Sequence, residues 1–306
     1  MEFVARLGSK SATNYPLPLQ GEPAWTPGEA GWHTQIELPV IPRDHIIVPS
    51  FAMLHADYRF RFNISSAGEP CGKSELMWVP SGPGPYRNAA DNRAVVARID
   101  CWHTQKKTAA IVELVVLSDE KPRDELLTVS VRPLTIKDPG RPAAAVMARR
   151  PGPVSQMMAP SSIARGICSP TALSMAIDSC WPQTVRACYD PLTRAYGCWP
   201  LAIHWAARQG VIAAVEVLSD WRDVSTILGQ GRAVVCSINY ASNALPGSPM
   251  PATSGHLVVL YGIEDDAVCV MDPAAKSHAA VDVRYPSKEF GQAWLAQRGA
   301  CYIFGS

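Results

Sequence analysis

The first part of the chain, up to about residue 136, alternates apolar and polar positions over short stretches that Pro, Gly, Asp and Asn separate. Alternation with a period of two, and short apolar runs bounded by turn formers, both predict β-strands. Several short strands at this spacing favour an all-β sandwich or jelly roll. The predicted strands span residues 32–40, 52–65, 94–103, 109–117 and 126–136.

The pattern becomes helical after about residue 154. Ser169 is a candidate N-cap, and Pro170 follows in the first turn, where its missing N–H costs nothing. Helices followed by an antiparallel sheet are typical of the α+β class. The predicted helices span residues 168–180, 199–210 and 219–231, and the predicted strands span 233–239, 256–263, 267–273 and 298–304.

Residues 137–153 separate these two halves and contain four prolines, two glycines and a basic pair. This composition predicts an interdomain linker, with a helical turn over 143–148 as an open alternative. The sequence therefore predicts a β-sandwich accessory domain over 1–136, a linker over 137–153 and an α+β domain over 154–306.

Composition and charge limit the classes of partner that we expect for this chain. The chain is 47% hydrophobic and 18% charged, which is sufficient for a sizeable core. Lys and Arg number 28 against 27 for Asp and Glu, and no long basic run occurs, so we expect no nucleic-acid partner. No apolar run reaches the length of a membrane span, and no signal-peptide pattern opens the chain. We expect a cytoplasmic protein, or a secreted one if a leader preceded this sequence.

The nine cysteines are odd in number and include no CxxC pair, which indicates buried, reduced thiols rather than a disulfide framework. Cys168 differs because it stands at the start of a predicted helix. The free N–H groups and the dipole of a helix N-terminus stabilise a thiolate, which is the nucleophilic form of cysteine. Cys168 is therefore the candidate nucleophile.

A base and a group that orients it can be proposed from the last strands. His256 opens the predicted strand 256–263, where its ring can be exposed, and Asp272 ends the next one. In a hairpin centred on residues 264–266 the two lie roughly opposite each other. Their separation is even, so both side chains point to one face. A carboxylate beside a histidine holds its tautomer and stabilises its protonated form, as a Cys–His–Asp site requires. A one-residue bulge would break this argument.

These motifs resemble the bacteriocin-processing-peptidase-like cysteine peptidases, papain-fold enzymes related to the double-glycine leader peptidases. The resemblance rests on CSPTALSMAI at 168–177, GHLVVLYGI at 255–263 and VMDPA at 270–274, and it covers about residues 153–306. YDPLTRAYGCWPLA at 189–202 is similar to a stretch from one bacterial branch, which often carries an N-terminal β domain. The resemblance implies a papain-like fold, a Cys–His–Asp triad, and catalysis without metal or cofactor.

The resemblance also implies an oxyanion site. In that family a glutamine upstream of the cysteine supplies a side-chain donor, and Gln156 precedes Cys168 by twelve residues. The second donor is the backbone N–H of Cys168. The sequence departs from the family pattern at Met271 and Ala202, where relatives have Asn.

The prediction is thus a cysteine peptidase or amide hydrolase that acts on a peptide or amide substrate. One alternative is an acyltransferase with the same triad. Another is a catalytically inert binding protein whose sandwich domain binds a glycan or a peptide. The polar, Pro-rich segment 240–253 is predicted to form one wall of the substrate cleft.

Overall fold

Antiparallel strands dominate the first 133 residues of the computed structural model, which describes residues 1–29, 31–55, 57–66, 73–82 and 94–305. They form two five-stranded sheets. The strands are β1 (Phe3–Gly8), β2 (Thr26–Gly28), β3 (Gly31–Ile41), β4 (His45–Met53), β5 (Arg59–Ser66), β6 (Lys73–Glu75), β7 (Val95–Ala97), β8 (Trp102–Thr104), β9 (Thr108–Leu117) and β10 (Glu125–Pro133). Sheet 1 has the order β1-β10-β4-β8-β7, and sheet 2 has the order β2-β3-β9-β5-β6.

The two sheets enclose an apolar core that includes Phe51, Phe60, Phe62 and Val129. In sheet 2, β3 alternates between buried and more exposed positions, as a sheet with one solvent face does. In sheet 1, β4 is buried at every position, because the C-terminal half covers its second face. The sequence pattern missed β4 for this reason, since a strand buried on both faces does not alternate.

The C-terminal half contains a seven-stranded antiparallel sheet with the order β12-β17-β13-β14-β15-β16, and β11 pairs with β14. This is the predicted α+β class, although α2, α5, β12 and β16 were not predicted. The elements are β11 (Val146–Met147), α1 (Cys168–Ala176), α2 (Trp181–Ala187), α3 (Trp199–Arg208), β12 (Ala213–Val217), α4 (Trp221–Gly229), β13 (Val234–Tyr240), β14 (Thr253–Glu264), β15 (Ala267–Met271), β16 (Asp282–Pro286), α5 (Ser287–Ala293) and β17 (Ala300–Phe304).

The segment 137–153 lies along the C-terminal sheet. Its residues 146–147 form β11, so the alternative of a helical turn over 143–148 is wrong. The Trp221 indole Nε1 donates to the Gly140 carbonyl at 3.3 Å, and the Ala148 N–H donates to the Tyr261 carbonyl at 2.8 Å. These bonds fix the segment on the C-terminal half.

The outer face of sheet 1 packs on the edge strand β12. An edge strand leaves backbone N–H groups without strand partners, and covering it satisfies them. Here the Val215 N–H donates to Ser50 Oγ at 2.9 Å, and the Val217 N–H donates to Ser130 Oγ at 3.1 Å. The two halves are therefore joined by specific polar bonds as well as by apolar packing. In the described part of the chain, no helix has both the length and the apolarity needed to cross a membrane.

Candidate active site

Cys168 is the first residue of α1, whose remaining turns are buried against β14 and β13. The predicted N-cap is wrong, because Ile167 holds the N-cap position and the Ser169 hydroxyl bonds to the Tyr302 hydroxyl at 2.8 Å. The thiol is half-buried. Since the N–H groups of a helix's first residues have no intrahelical acceptor, the backbone around Cys168 presents free donors.

His256 lies within β14, where it pairs with Ile238 of β13. Its side chain is 3% exposed, so the expectation of an exposed ring at a strand end is wrong. The strand begins three residues earlier than predicted, at Thr253. Burial limits the ring to the partners that the fold places beside it.

A β-bulge decides how Asp272 reaches His256. A two-residue turn at 265–266 pairs Glu264 with Ala267, and continuing that register would place Asp272 opposite residue 259, on the other face from His256. The register shifts by one between Leu260 and Gly262, so Val259 pairs with Met271. Asp272 then follows as a diagonal neighbour of His256 on the same face, within side-chain reach. The bulge thus brings the pair together, contrary to the expectation that a bulge would separate it.

The Asp272 carboxylate is fully buried, and its hydrogen bonds hold it in place. Oδ1 accepts from His256 Nε2 at 2.8 Å and from the Ala274 N–H at 2.9 Å. Oδ2 accepts from the Tyr285 hydroxyl at 2.6 Å. Burial alone would raise the pKa of Asp272, but the charge of His256 and these hydrogen bonds together hold it below its ordinary value.

The Cys168 thiol and the His256 imidazole lie close enough for each to shift the pKa of the other. Burial opposes ionisation of the thiol most strongly. The hydrogen bond and charge of His256, with the backbone N–H groups of Leu257 and Ser169, nevertheless bring the pKa of Cys168 below its ordinary value. Burial also opposes protonation of His256, but Asp272 and Cys168 together raise the pKa of the imidazole. Both shifts favour a thiolate–imidazolium pair.

Gln156 lies in the 3-10 helix Gln156–Met158 and is buried. Its backbone N–H donates to the carbonyl of Pro273, the residue after Asp272, at 2.8 Å. The side-chain Nε2 donates to the Ala164 carbonyl at 2.7 Å. Its Oε1 is buried without a hydrogen-bond partner among the described residues.

The thiol opens into a cleft of about 650 Å³. One wall comes from the C-terminal half and includes Gly255 and Leu257, on either side of His256. The other wall comes from residues 97–103 of sheet 1 and the β7–β8 turn, not from the predicted segment 240–253. No sequence pattern indicates this wall or Tyr285, because each depends on contacts between distant parts of the chain.

The other described cysteines differ from Cys168 in how far they are buried. Cys180 is exposed, so its expected place in the core is wrong, and Cys71 lies outside the described residues. Burial raises the pKa of Cys188 to about 12 and that of Cys269 to about 11, and it also raises the pKa of the four remaining buried thiols. Those six are Cys101, Cys188, Cys198, Cys236, Cys269 and Cys301. Within the described ranges, no group of three or more His, Cys, Asp or Glu side chains could hold a metal ion.

Comparison with known proteins gives a match to one family and matches to two solved structures. The Peptidase_C39 like family matches residues 152–302. A double glycine motif protease from an AMS/PCAT transporter, solved in complex with the leader peptide, is 20% identical with a TM-score of 0.35. A protein described as a C39-like peptidase from Bacillus anthracis is 15% identical with a TM-score of 0.39. Each match covers 53% of this chain and 98% of the other. No curated protein matches the chain.

The family match begins at residue 152, at the end of the segment 137–153, and takes in the thiol at the start of α1, the strand with His256 and the turn with Asp272. The predicted family resemblance is confirmed over this region. The chain belongs, through residues 152–302, to the Peptidase_C39 like family and is a cysteine-type peptidase.

Proposed function

We propose that the chain hydrolyses peptide bonds with Cys168 as nucleophile, His256 as base and acid, and Asp272 as the residue that orients the imidazole. The supporting observation is that the half-buried Cys168 thiol lies beside the buried His256–Asp272 pair at an open cleft. Because His256 Nε2 bonds to Asp272, Nδ1 is the ring nitrogen left for the thiol. Asp272 thereby selects the tautomer that catalysis needs.

The proposed reaction has two steps. The Cys168 thiolate attacks the carbonyl carbon of the scissile amide, the C–N bond breaks, and the His256 imidazolium gives its Nδ1 proton to the leaving amine. His256 then removes a proton from water, and the resulting hydroxide attacks the thioester. The carboxylic acid leaves, and the thiolate–imidazolium pair forms again.

We propose that the oxyanion is stabilised by the Cys168 N–H and by the Gln156 side-chain amide. The position of Cys168 at the start of α1 supports the first donor. The bond from Gln156 to Pro273 supports the second, because it places the glutamine beside the segment of Asp272. An amide nitrogen carries two hydrogens, and the bond to Ala164 uses one.

We also propose that residues 1–136 form an accessory β-sandwich domain, that 137–153 form its linker, and that 154–306 form a papain-like peptidase domain. The two facing sheets and their shared apolar core support this division. A peptide substrate is supported by the leader peptide that the double glycine motif protease binds. The accessory domain then contributes to peptide binding through the cleft wall at 97–103.

Alkylation by iodoacetamide at neutral pH tests this function, with the labelled sites located by mass spectrometry. We expect Cys168 to react faster than free cysteine, and Cys168→Ala to lose both this label and hydrolysis of a quenched peptide library. Cys180→Ala is the matched control, because it removes an exposed thiol outside the site and should leave both unchanged. Hydrolysis that survives Cys168→Ala would contradict the proposal. Faster transfer to an added amine than to water would instead indicate an acyltransferase.

A further inference from the structure

Three arginines line the cleft beside Cys168, and they come from distant segments of the chain. Arg98 lies in the β7–β8 turn, Arg165 precedes α1, and Arg298 precedes β17. None of the three forms an ion pair within the part of the chain that the structure describes. Unpaired guanidinium groups that converge on a reactive centre present a positive potential to whatever enters.

One of these arginines, Arg298, is held at a fixed place. The Arg298 guanidinium lies over the Trp199 ring, 5.7 Å from its centroid, in a cation–π contact. Its Nη2 would lie 3.8 Å from a Cβ built on Gly255, the residue before His256. Arg298 therefore borders the strand that carries the base.

Asp100 is the single carboxylate among the described residues that line the cleft, and it lies close enough to Arg298 for their charges to interact. Asp100 is 9% exposed, and its Oδ2 accepts the Trp199 N–H at the start of α3 at 3.2 Å. The N-cap residue of α3, Cys198, makes no side-chain cap, so Asp100 from the N-terminal half supplies one. The Asp100 carboxylate bonds to the start of α3 and so fixes the β7–β8 turn. Arg98 lies exposed on this turn.

We propose that Arg98, Arg165 and Arg298 form a subsite that binds a carboxylate of the peptide substrate next to the scissile bond. This rests on the proposed function, because it names the substrate class of the same site. Arginine suits the role, since its planar fork matches the two oxygens of a carboxylate. The carboxylate is either an acidic side chain within the peptide or the free carboxyl group at its C-terminus.

Two alkylating probes of similar shape test the subsite without a known substrate. Iodoacetate is an anion and iodoacetamide is neutral, and both alkylate Cys168. In Arg298→Gln the ratio of the iodoacetate rate to the iodoacetamide rate at Cys168 should fall about threefold to fivefold, as expected for a partly exposed charge. Arg98→Gln and Arg165→Gln should lower it less, and added salt should lower it in the wild type.

Arg222→Gln is the matched control, because it removes an equal charge from an exposed position in α4, outside the cleft. A ratio that stays the same in Arg298→Gln, Arg222→Gln and the wild type would overturn the subsite. The iodoacetamide rate alone reports on folding and on the Cys168–His256 pair. If that rate equals the rate of free cysteine, the proposed function fails, while the ratio still decides the subsite.

Quenched peptides then separate the two sources of the carboxylate. A preference for Glu over Gln near the cleaved bond that is lost in Arg298→Gln supports an acidic side chain. A preference for a free C-terminal carboxylate over an amide that is lost in the same variant supports a chain terminus. Equal cleavage within both peptide pairs would overturn the proposal.

Discussion

Two regions of the molecule each bury a carboxylate beside a cationic side chain and a phenol. They differ in the cationic side chain. Between the halves, Glu216 of β12 is fully buried. It accepts hydrogen bonds from Arg6 Nε and Nη2 of β1, at 2.8–3.1 Å, and from the Tyr15 hydroxyl at 2.8 Å. Arg6, Tyr15 and Glu216 are the interface network. It provides the carboxylate with a cation and a phenol, as burial of a charge requires.

The site network consists of Cys168, His256, Asp272 and Tyr285. It also provides a buried carboxylate with a cationic partner and a phenol. The difference is that a guanidinium keeps its proton at any working pH, whereas an imidazole can release one. His256 also lies beside a thiol at an open cleft. The interface network can only hold its charge in place, but the site network can hold charge and transfer a proton.

The largest effect is expected from Glu216→Gln. This change leaves the Arg6 charge buried without its partner, so it should lower the free energy of unfolding by about 3–5 kcal/mol. Denaturant titration measures this. Glu264→Gln is the control, because the exposed Glu264–Arg284 pair should contribute about 0–1 kcal/mol. Equal losses in the two variants would show that burial does not distinguish these pairs.

Asp272→Asn should have the next largest effect, on reactivity. Without the carboxylate charge the pKa of His256 falls, the imidazolium is lost, and the pKa of the Cys168 thiol rises. We expect the alkylation rate of Cys168 at neutral pH to fall about tenfold to a hundredfold. Asp282→Asn is the matched control, because Asp282 also accepts from a tyrosine, Tyr261, but does not contact the site network. An unchanged rate in Asp272→Asn would remove the carboxylate from the mechanism.

The smallest effects should come from the two phenols, and they compare the networks directly. Tyr285→Phe removes a hydrogen bond that holds Asp272, so alkylation of Cys168 should slow about threefold. Tyr15→Phe removes the equivalent bond to Glu216 and should lower stability by about 1–2 kcal/mol without changing the alkylation rate. If Tyr15→Phe slowed alkylation as much as Tyr285→Phe, the two networks would not be independent.

The pattern of apolar and polar residues predicts much of the fold, but it fails for a strand that is buried on both faces. The strand β9 alternates along its length and was predicted almost to the residue. The strand β4 was missed, because it is buried on both faces and Pro49 interrupts it. The structure accommodates Pro49 because β8 pairs with β4 only at Ile46 and Ile47, which leaves the edge beside the proline open.

The candidate site likewise contains residues that the sequence predicts and features that only the folded structure shows. Cys168, His256 and Asp272 could be chosen from helix-start and strand-end patterns and from the family resemblance, and the structure brings all three together. The bulge that sets their register could not be foreseen, since a two-residue turn and a longer one give the same sequence pattern. Arg98 and Arg298 carry no local signal, because only the packing of the two halves places them in one cleft.

The pH dependence of Cys168 alkylation by iodoacetamide tests the central claim most directly. Free cysteine has a pKa of about 8.5 and becomes unreactive as the pH falls below that value. The lowered pKa of Cys168 keeps its thiolate present at lower pH, and the raised pKa of His256 keeps the imidazolium present beside it. The account predicts a rate profile for Cys168 with its inflection below that of free cysteine in the same buffer. Coincident profiles would contradict it.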